Sequence, residues 1–354
     1  MKVALTSDLH LTDPSLHPER YHALQDILTQ MMAEEVQTLV IAGDLFDSTL
    51  RDFQAFEEIC GNKDFSEFEI FVIPGNHDAF LNQAAVALRN LRVFEEPVIY
   101  QLGPKGMQFL FLPYKERTTM GDQIQSLSHQ LSPFQWILIG HGDWFKSYQE
   151  VNPLETGVFM PLTEKDIQRY QPLRTFLGHI HKPYDGDRIY YLGSPCSLDI
   201  SESGLRRYLL FDTESMKIEK RYVNTDQIYF DEVIVVLPFQ DEEGYIRDWA
   251  QHTIEGWGIN PEHKEKVNLR LRARGYSADR NRVAEILKEC FEDFQFYKDE
   301  APDVTGVQFA NDPERRYIAM KVEEQLREIE WPECLDEPSG DEILLAALET
   351  IYGG

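Results

Sequence analysis

Eight short apolar runs set the terms for any fold: KVALTS (2–7), QTLVIAG (37–43), FEIFVIPG (68–75), MQFLFLP (107–113), WILIGHG (136–142), TFLGHIH (175–181), IYYLGSP (189–195) and YLLFD (208–212). Several have no polar face. A strand without one must be covered on both sides, which favours buried sheets under helices over a half-exposed antiparallel sheet. Between the first two runs, Tyr21, Leu24, Leu28 and Met31 recur at helical spacing and supply such a cover. The expected class is therefore layered α/β.

The texture changes after about residue 225. EVIVVLP, the helical DEEGYIRDWAQHT, KVNLRLRARG, the helical SADRNRVAEILKECFED and FQFY follow in order, as in a small β-α-β-α-β module. From Pro313 onward two helical stretches, PERRYIAMKVEEQLREIE and DEILLAALETIYG, flank WPECLDEPSG, whose prolines and glycine break the pattern. The expected segments are 1–225, 226–305 and a helix-loop-helix over 306–354. The tail stripes, Ala319, Val322, Leu326 and Ile329 in one helix and Leu344, Ala347, Leu348 and Ile351 in the other, suit packing on their own domain or docking on a partner's coiled coil.

No run approaches the roughly 18 apolar residues of a membrane span, and MKVALTSDLH carries charge too early for a signal peptide. A cytoplasmic protein without a membrane partner is expected. Cys60, Cys196, Cys290 and Cys334 are far apart and form no CxxC pair, which fits a reducing compartment. The net charge of −27 opposes broad affinity for polyanions, so a polyphosphate substrate would need metal ions or a local basic patch.

Side chains able to hold metal sit where the runs stop. TSDLH carries Asp8 and His10, and the strand period of two would aim both the same way. GDLFD carries Asp44 and Asp47, GNHD carries Asn76, His77 and Asp78, GHG carries His141, and GHIH carries His179 and His181. Each fragment alone is most often a turn. Together they form a mixed oxygen and nitrogen set that suits Mn2+, Fe2+ or Zn2+ better than Ca2+. The set is too large for one ion, whereas two ions about 3.5–4 Å apart sharing a carboxylate would use it and clamp a phosphoryl displacement.

In this order, DxH, GDxxD, GNHD, GH and GHxH resemble the calcineurin-like metallophosphoesterase family. GDLFD, GNHD and MPLTEKDIQRYQPLRTFLGHIHKP resemble its SbcD-type DNA nuclease branch more than the protein phosphatases. The resemblance implies an α/β/β/α sandwich over about 1–215, a small α+β capping domain and a C-terminal helical segment docking on an SMC-like coiled-coil ATPase of the SbcC type. It implies that Asp8, His10 and His181 hold one ion, that Asn76, His141 and His179 hold the other, and that Asp44 bridges. His77 would act on the scissile phosphate, with Asp47 orienting it, and Asp78 is read as a cap or turn residue. Implied with these are two divalent ions, Mn2+ foremost, exonuclease and endonuclease action on DNA in repair or recombination, and a homodimer. The alternatives are a phosphodiesterase or phosphatase acting on a small nucleotide or phosphoprotein, and a scaffold subunit of a DNA-processing complex.

One stretch offers a basic patch. HKEKVNLRLRARGYSADRNR (263–282) holds seven Lys or Arg against two acids, and strand alternation sets Arg270, Arg272 and Arg274 on one face. Those arginines are candidates for gripping a phosphate backbone, or else for a solvated or acid-paired outer face.

Overall fold

The structure, a computed structural model, describes residues 1–50, 53–103, 105–145, 157–238, 241–329 and 339–352. It divides into two units, Met1–Cys196 with Arg206–Asp226, and Ser197–Leu205 with the chain from Gln227 onward.

The first unit runs β1 (Lys2–Thr6), α1 (Pro18–Ala33), β2 (Thr38–Ala42), α2 (Gln54–Cys60), β3 (Glu69–Ile73), β4 (Leu91–Val93), β5 (Val98–Leu102), β6 (Met107–Leu112), α3 (Met120–Leu127), β7 (Trp136–His141), β8 (Trp144–Phe145), β9 (Leu162–Thr163), α4 (Glu164–Tyr170), β10 (Arg174–Gly178), β11 (Tyr184–Asp185), β12 (Ile189–Tyr191), β13 (Arg207–Asp212) and β14 (Ile218–Tyr222). Its strands form two six-stranded sheets, ordered β14-β13-β1-β2-β3-β4 and β11-β12-β10-β7-β6-β5, and a short β8-β9 pair. Strands β1 to β4 are mutually parallel, as are β6, β7, β10 and β12, so each sheet gathers several strand C-termini along one edge.

Alternation along these strands builds the layers. Val3, Leu5, Val40, Ala42, Phe71 and Ile73 of one sheet pack with Phe109, Phe111, Ile137, Ile139 and Phe176 of the other in a single buried cluster. Their neighbours turn outward: Ala4, Leu39, Ile41, Ile70 and Val72 meet Leu24, Ile27, Leu28 and Met31 of α1 and Phe56 of α2. On the far side Leu110, Leu112, Trp136, Leu138 and Leu177 meet Met120 and Ile124 of α3 and Ile167 of α4. The result is an α/β/β/α sandwich, the layered α/β class expected from the doubly apolar runs in the arrangement that the resemblance implied.

The second unit runs β15 (Ile228–Val236), α5 (Glu242–Gly256), β16 (Val267–Ser277), α6 (Arg280–Cys290), β17 (Gln295–Phe296), β18 (Asp303–Phe309), α7 (Pro313–Arg327) and α8 (Gly340–Tyr352). All pairings in its sheet are parallel, with β16 between β15 and both β17 and β18. Strand β18 has no counterpart in the sequence-based expectation. Within Asp303–Phe309 only Val307 is buried, so no apolar alternation announces it. The stretch expected as a separate tail, 306–354, therefore begins inside this sheet. The linker expected over WPECLDEPSG lies outside the described residues except Ser339 and Gly340.

Most of the two tail stripes packs at home, with Leu326 and Ile351 partly buried, but Ile329 at the end of the first stripe is 46% exposed. Ala319 of α7 and Leu344 and Leu348 of α8 join Val235, Leu237, Tyr276 and Ala310, and the rings of Tyr352 and Tyr276 stack at 4.5 Å. Deleting three side-chain carbons at a fully buried leucine leaves a cavity that the helices can only partly close. Leu348→Ala is expected to cost about 2–5 kcal/mol of stability in urea unfolding. Unchanged stability would mean that α8 does not dock on β15 and β16.

Candidate metal centre

The C-terminal ends of the parallel strands in the two sheets bring the expected ligands together. In one sheet β1, β2 and β3 are neighbours and deliver Asp8 with His10, Asp44, and Asn76 with His77. In the other β7 and β10 are neighbours and deliver His141 and His179 with His181. Bonds across the two edges lock the halves. His141 Nδ1 lies 2.9 Å from the Ala42 carbonyl, and the His179 amide donates to Asp8 Oδ1 at 2.9 Å.

The local backbone is not the extended strand that a period of two presumes. Asp8 (φ 53°), His10 (φ 45°), Asp44 (φ 49°) and His179 (φ 95°) all lie beyond the strand ends in left-handed conformations. Asp8 and His10 thus converge through a turn. His179 and His181 diverge, His181 Nε2 approaching His10 Nε2 at 3.0 Å while His179 Nδ1 approaches Asn76 Oδ1 at 3.1 Å. Glycine is required beside them: a Cβ on Gly43 (φ 90°) would sit 2.1 Å from His141 Nδ1, and one on Gly75 would sit 2.2 Å from Asp44 Oδ1.

Three overlapping groups have donor atoms within 4.8 Å of one another: Asp8, His10 and His181; Asp8, Asp44 and His141; and His10, Asp44 and His77. Asn76 Oδ1 extends the second group, 2.8 Å from His141 Nε2. Asp8, His10 and Asp44 each occur in two of the three, and Asp44 Oδ2 lies between imidazoles of both sheets, 3.6 Å from His10 Nε2 and 3.3 Å from His141 Nε2. Oxygen and imidazole nitrogen from seven residues, with no thiolate, fit two divalent transition ions. When bound, such ions act as Lewis acids that neutralise charge on a phosphoryl group.

Burial makes the centre electrostatically demanding. Asp8, His10, Asp44, His141 and His179 are each at most 3% exposed. Burial pushes the Asp8 carboxyl up, and it lowers His10 to about 3, with the His181 and His77 imidazoles adding to the effect. His10 is thus held neutral, the form in which an imidazole can accept a metal ion. His141 is raised to about 10: burial opposes its charge, but Asp44 and Asp8 outweigh it. Burial likewise opposes ionisation of Asp44, and His141 and His10 still hold it below the usual carboxylate range. In the metal-free protein a protonated His141 therefore supplies part of the countercharge that cations would bring.

Around this set the other GNHD and GDLFD residues take different tasks. His77 is half-exposed, its amide donates to Asp44 Oδ1 at 2.9 Å, and its ring meets that of His10 edge-on at 4.7 Å. Asp47 accepts from the Thr49 amide at 2.9 Å and hydroxyl at 2.7 Å; partial burial opposes its ionisation, but these bonds and the His10 and His77 imidazoles hold its carboxyl low. Asp78 is fully buried and ties the two loops, accepting from the Gly75 amide at 2.6 Å and the Phe46 amide at 3.1 Å. Burial, with Asp44 nearby, raises it to about 7.

The arginine face has a different setting. Arg270 and Arg272 both donate to Asp231 of β15, Arg270 Nε and Arg272 Nη2 each at 2.9 Å from Oδ1. Arg274 is exposed. The strand alternation was legible, and so was the acid-paired option, but not which acid, because β15 and β16 are parallel neighbours separated in sequence by a helix.

Several contributing residues had no separate signal in the sequence. Ser7 Oγ donates to Asp8 Oδ2 at 2.5 Å, and Arg20 of α1 donates to the His10 carbonyl at 2.5 Å, steadying the first turn. Asp143, the last residue of GHGD, is fully buried beside His179. Its spacing from His141 was the available clue.

Comparison with known proteins identifies a family. The profile of the Calcineurin-like phosphoesterase family matches residues 1–202, more than half of the chain. Among solved structures the chain is similar to an archaeal phosphodiesterase (11% identity, 63% of this chain and all of that one, TM-score 0.34) and to a dimetal phosphatase from Danio rerio (13% identity, 63% and 96%, TM-score 0.44). The chain belongs to the calcineurin-like phosphoesterase family.

Proposed function

We propose that this phosphoesterase is a two-metal DNA nuclease of the SbcD type, an exonuclease with endonuclease activity, working with Mn2+ and an SMC-like coiled-coil ATPase in DNA repair or recombination. The observation that carries the hydrolytic part is the overlap of the ligand groups, Asp44 standing with Asp8 and His141 in one and with His10 and the half-exposed His77 in another. DNA as the substrate rests on the resemblance of GDLFD, GNHD and residues 160–183 to that nuclease branch. For the ATPase, support comes from α7, which exposes Tyr317, Ile318 and Met320 away from its packed stripe.

In this reading Asp8, His10 and His181 hold one ion, Asn76, His141 and His179 the other, and Asp44 both. His77, next to Asn76 but directed elsewhere, binds a phosphate oxygen and delivers a proton to the leaving oxygen. Asp47 orients the imidazole. Arg274, and Arg270 and Arg272 to the extent that Asp231 releases them, contact the phosphate backbone.

A second reading has its own support. Net charge of −27 and the capture of two arginines by one aspartate both weaken polyanion binding, and favour a small nucleotide ester as substrate.

One assay separates them: purified protein with Mn2+ on labelled duplex and single-stranded DNA and on a small phosphodiester, beside His77→Ala. The expected outcome is DNA degradation, reduced about 10²–10⁴-fold in kcat by His77→Ala with metal content unchanged. Activity on the small ester with no cleavage of any DNA would sink the nuclease proposal. Metal uptake carries a second expectation. Because His141 is raised to about 10 in the metal-free protein and must lose its proton to become a ligand, binding releases protons and tightens as pH rises. Calorimetric titration with Mn2+ in buffers of different ionisation enthalpy measures that release; none at pH 7 would mean that His141 is already neutral.

A further inference from the structure

The family profile and the motifs leave Asp143 without a task, yet it stands directly behind a metal-site histidine. Its side chain is fully buried, with Oδ1 3.6 Å from His179 Nε2. The other ring nitrogen of His179, Nδ1, faces the Asn76 oxygen at 3.1 Å, on the side where the second ligand group gathers. The two nitrogens of one imidazole thus face a ligand cluster and a buried carboxylate.

Asp143 is itself held from three directions. Its amide donates to the Phe159 carbonyl at 2.8 Å, its carbonyl accepts from the Leu162 amide at 2.8 Å, and its Oδ2 accepts from the Phe159 amide at 2.6 Å. Its Oδ1 is turned to His179. The Phe159 ring lies 4.7 Å from the His179 ring, so the loop that fixes the carboxylate also packs against the imidazole. Gly142 makes this approach possible: at φ 146°, a Cβ there would sit 2.3 Å from the Phe159 carbonyl.

We propose that Asp143 is a positioning residue, its carboxylate accepting the Nε2 proton of His179 so that Nδ1 presents its lone pair to the ion shared with Asn76 and His141. The inference rests on the two-metal reading of the centre. A carboxylate behind a ligating imidazole fixes its tautomer and ring orientation and raises its basicity, and loss of such a partner lowers metal affinity about 10–100-fold. Asp143 touches no substrate in this scheme and acts only through His179.

The test is calorimetric titration of Mn2+ into the full chain, for wild type, Asp143→Asn, His179→Ala and the double variant, with melting temperatures of the metal-free proteins alongside. Asparagine keeps an acceptor for the Phe159 amide but carries no charge. The expected result is two ions per wild-type chain, one of them bound about 10–100-fold more weakly in Asp143→Asn, and no further loss when Asp143→Asn is added to His179→Ala. A role confined to holding the loop would lower the melting temperature and add its effect with or without His179. Wild-type affinity for both ions in Asp143→Asn, or an equal loss in the presence and absence of His179, overturns the proposal. A wild type that takes up fewer than two ions would instead overturn the two-metal reading, and this inference with it. Should Asp143→Asn fail to fold, nitrogen-resolved NMR of imidazole-labelled, Zn2+-loaded wild type decides: a downfield-shifted proton on His179 Nε2 supports the assignment, and a proton on Nδ1 overturns it.

Discussion

The position of Asp44 at the junction of two sheets is the constraint on which the rest of the first unit depends. One carboxylate, 1% exposed, accepts the His77 amide and lies within 3.6 Å of imidazoles that arrive from β1 and from β7, strands of different sheets. A buried charge of this kind is tolerated only when paired or coordinated. The pairing here cannot be made by either sheet alone. Correct mutual register of the two sheets is therefore written into the electrostatics of their shared edge, and the sandwich core, with Val40 and Ala42 beside Ile137 and Ile139, holds that register by packing.

Glycine and left-handed turns are the means by which the strands end so abruptly. A parallel strand continued by one more residue would send its side chain to a sheet face, into a hydrophobic layer. Turning at Asp8, Asp44 and His179 instead throws each polar side chain off the edge, where the opposite sheet's loops meet it. Left-handed conformations at aspartate and histidine cost of order 1–3 kcal/mol each where the residue is not glycine. Such strain persists because cross-edge hydrogen bonds, among them His141 to Ala42 and His179 to Asp8, over-determine the geometry.

This explains how much was legible in the sequence. The apolar runs announced buried strands because burial on both faces removes polar positions, and Leu39 and Val40, pointing into different layers, are both fully buried. The ligand types were visible because they punctuate those runs. Their geometry was not: a period of two describes Val3 and Leu5, which share the inter-sheet cluster, but fails at Asp8 and His10, which lie past the last strand residue, Thr6. β18 escaped because an edge strand with one buried side chain has no pattern to display. Asp143 escaped because its significance comes from His179, more than thirty positions away and reached only through sheet pairing of β7 with β10.

The arginines of β16 show why charge in a sequence is a poor guide to charge on a surface. Alternation correctly separates Arg270, Arg272 and Arg274 from Leu269, Leu271 and Ala273, which are buried against α5 and α6. A parallel partner strand then sets Asp231 opposite Arg270 in register, and the carboxylate satisfies both Arg270 and Arg272. Two guanidiniums sharing one carboxylate keep a net positive charge, but each has lost donors that would otherwise meet phosphate. In a chain of net charge −27, cations held at the metal centre would offset the repulsion that a phosphoester meets from the protein's own charge. Metal occupancy and substrate affinity are on this account coupled: filling the buried cluster of carboxylates and imidazoles reverses the local field at the edge where the substrate has to arrive.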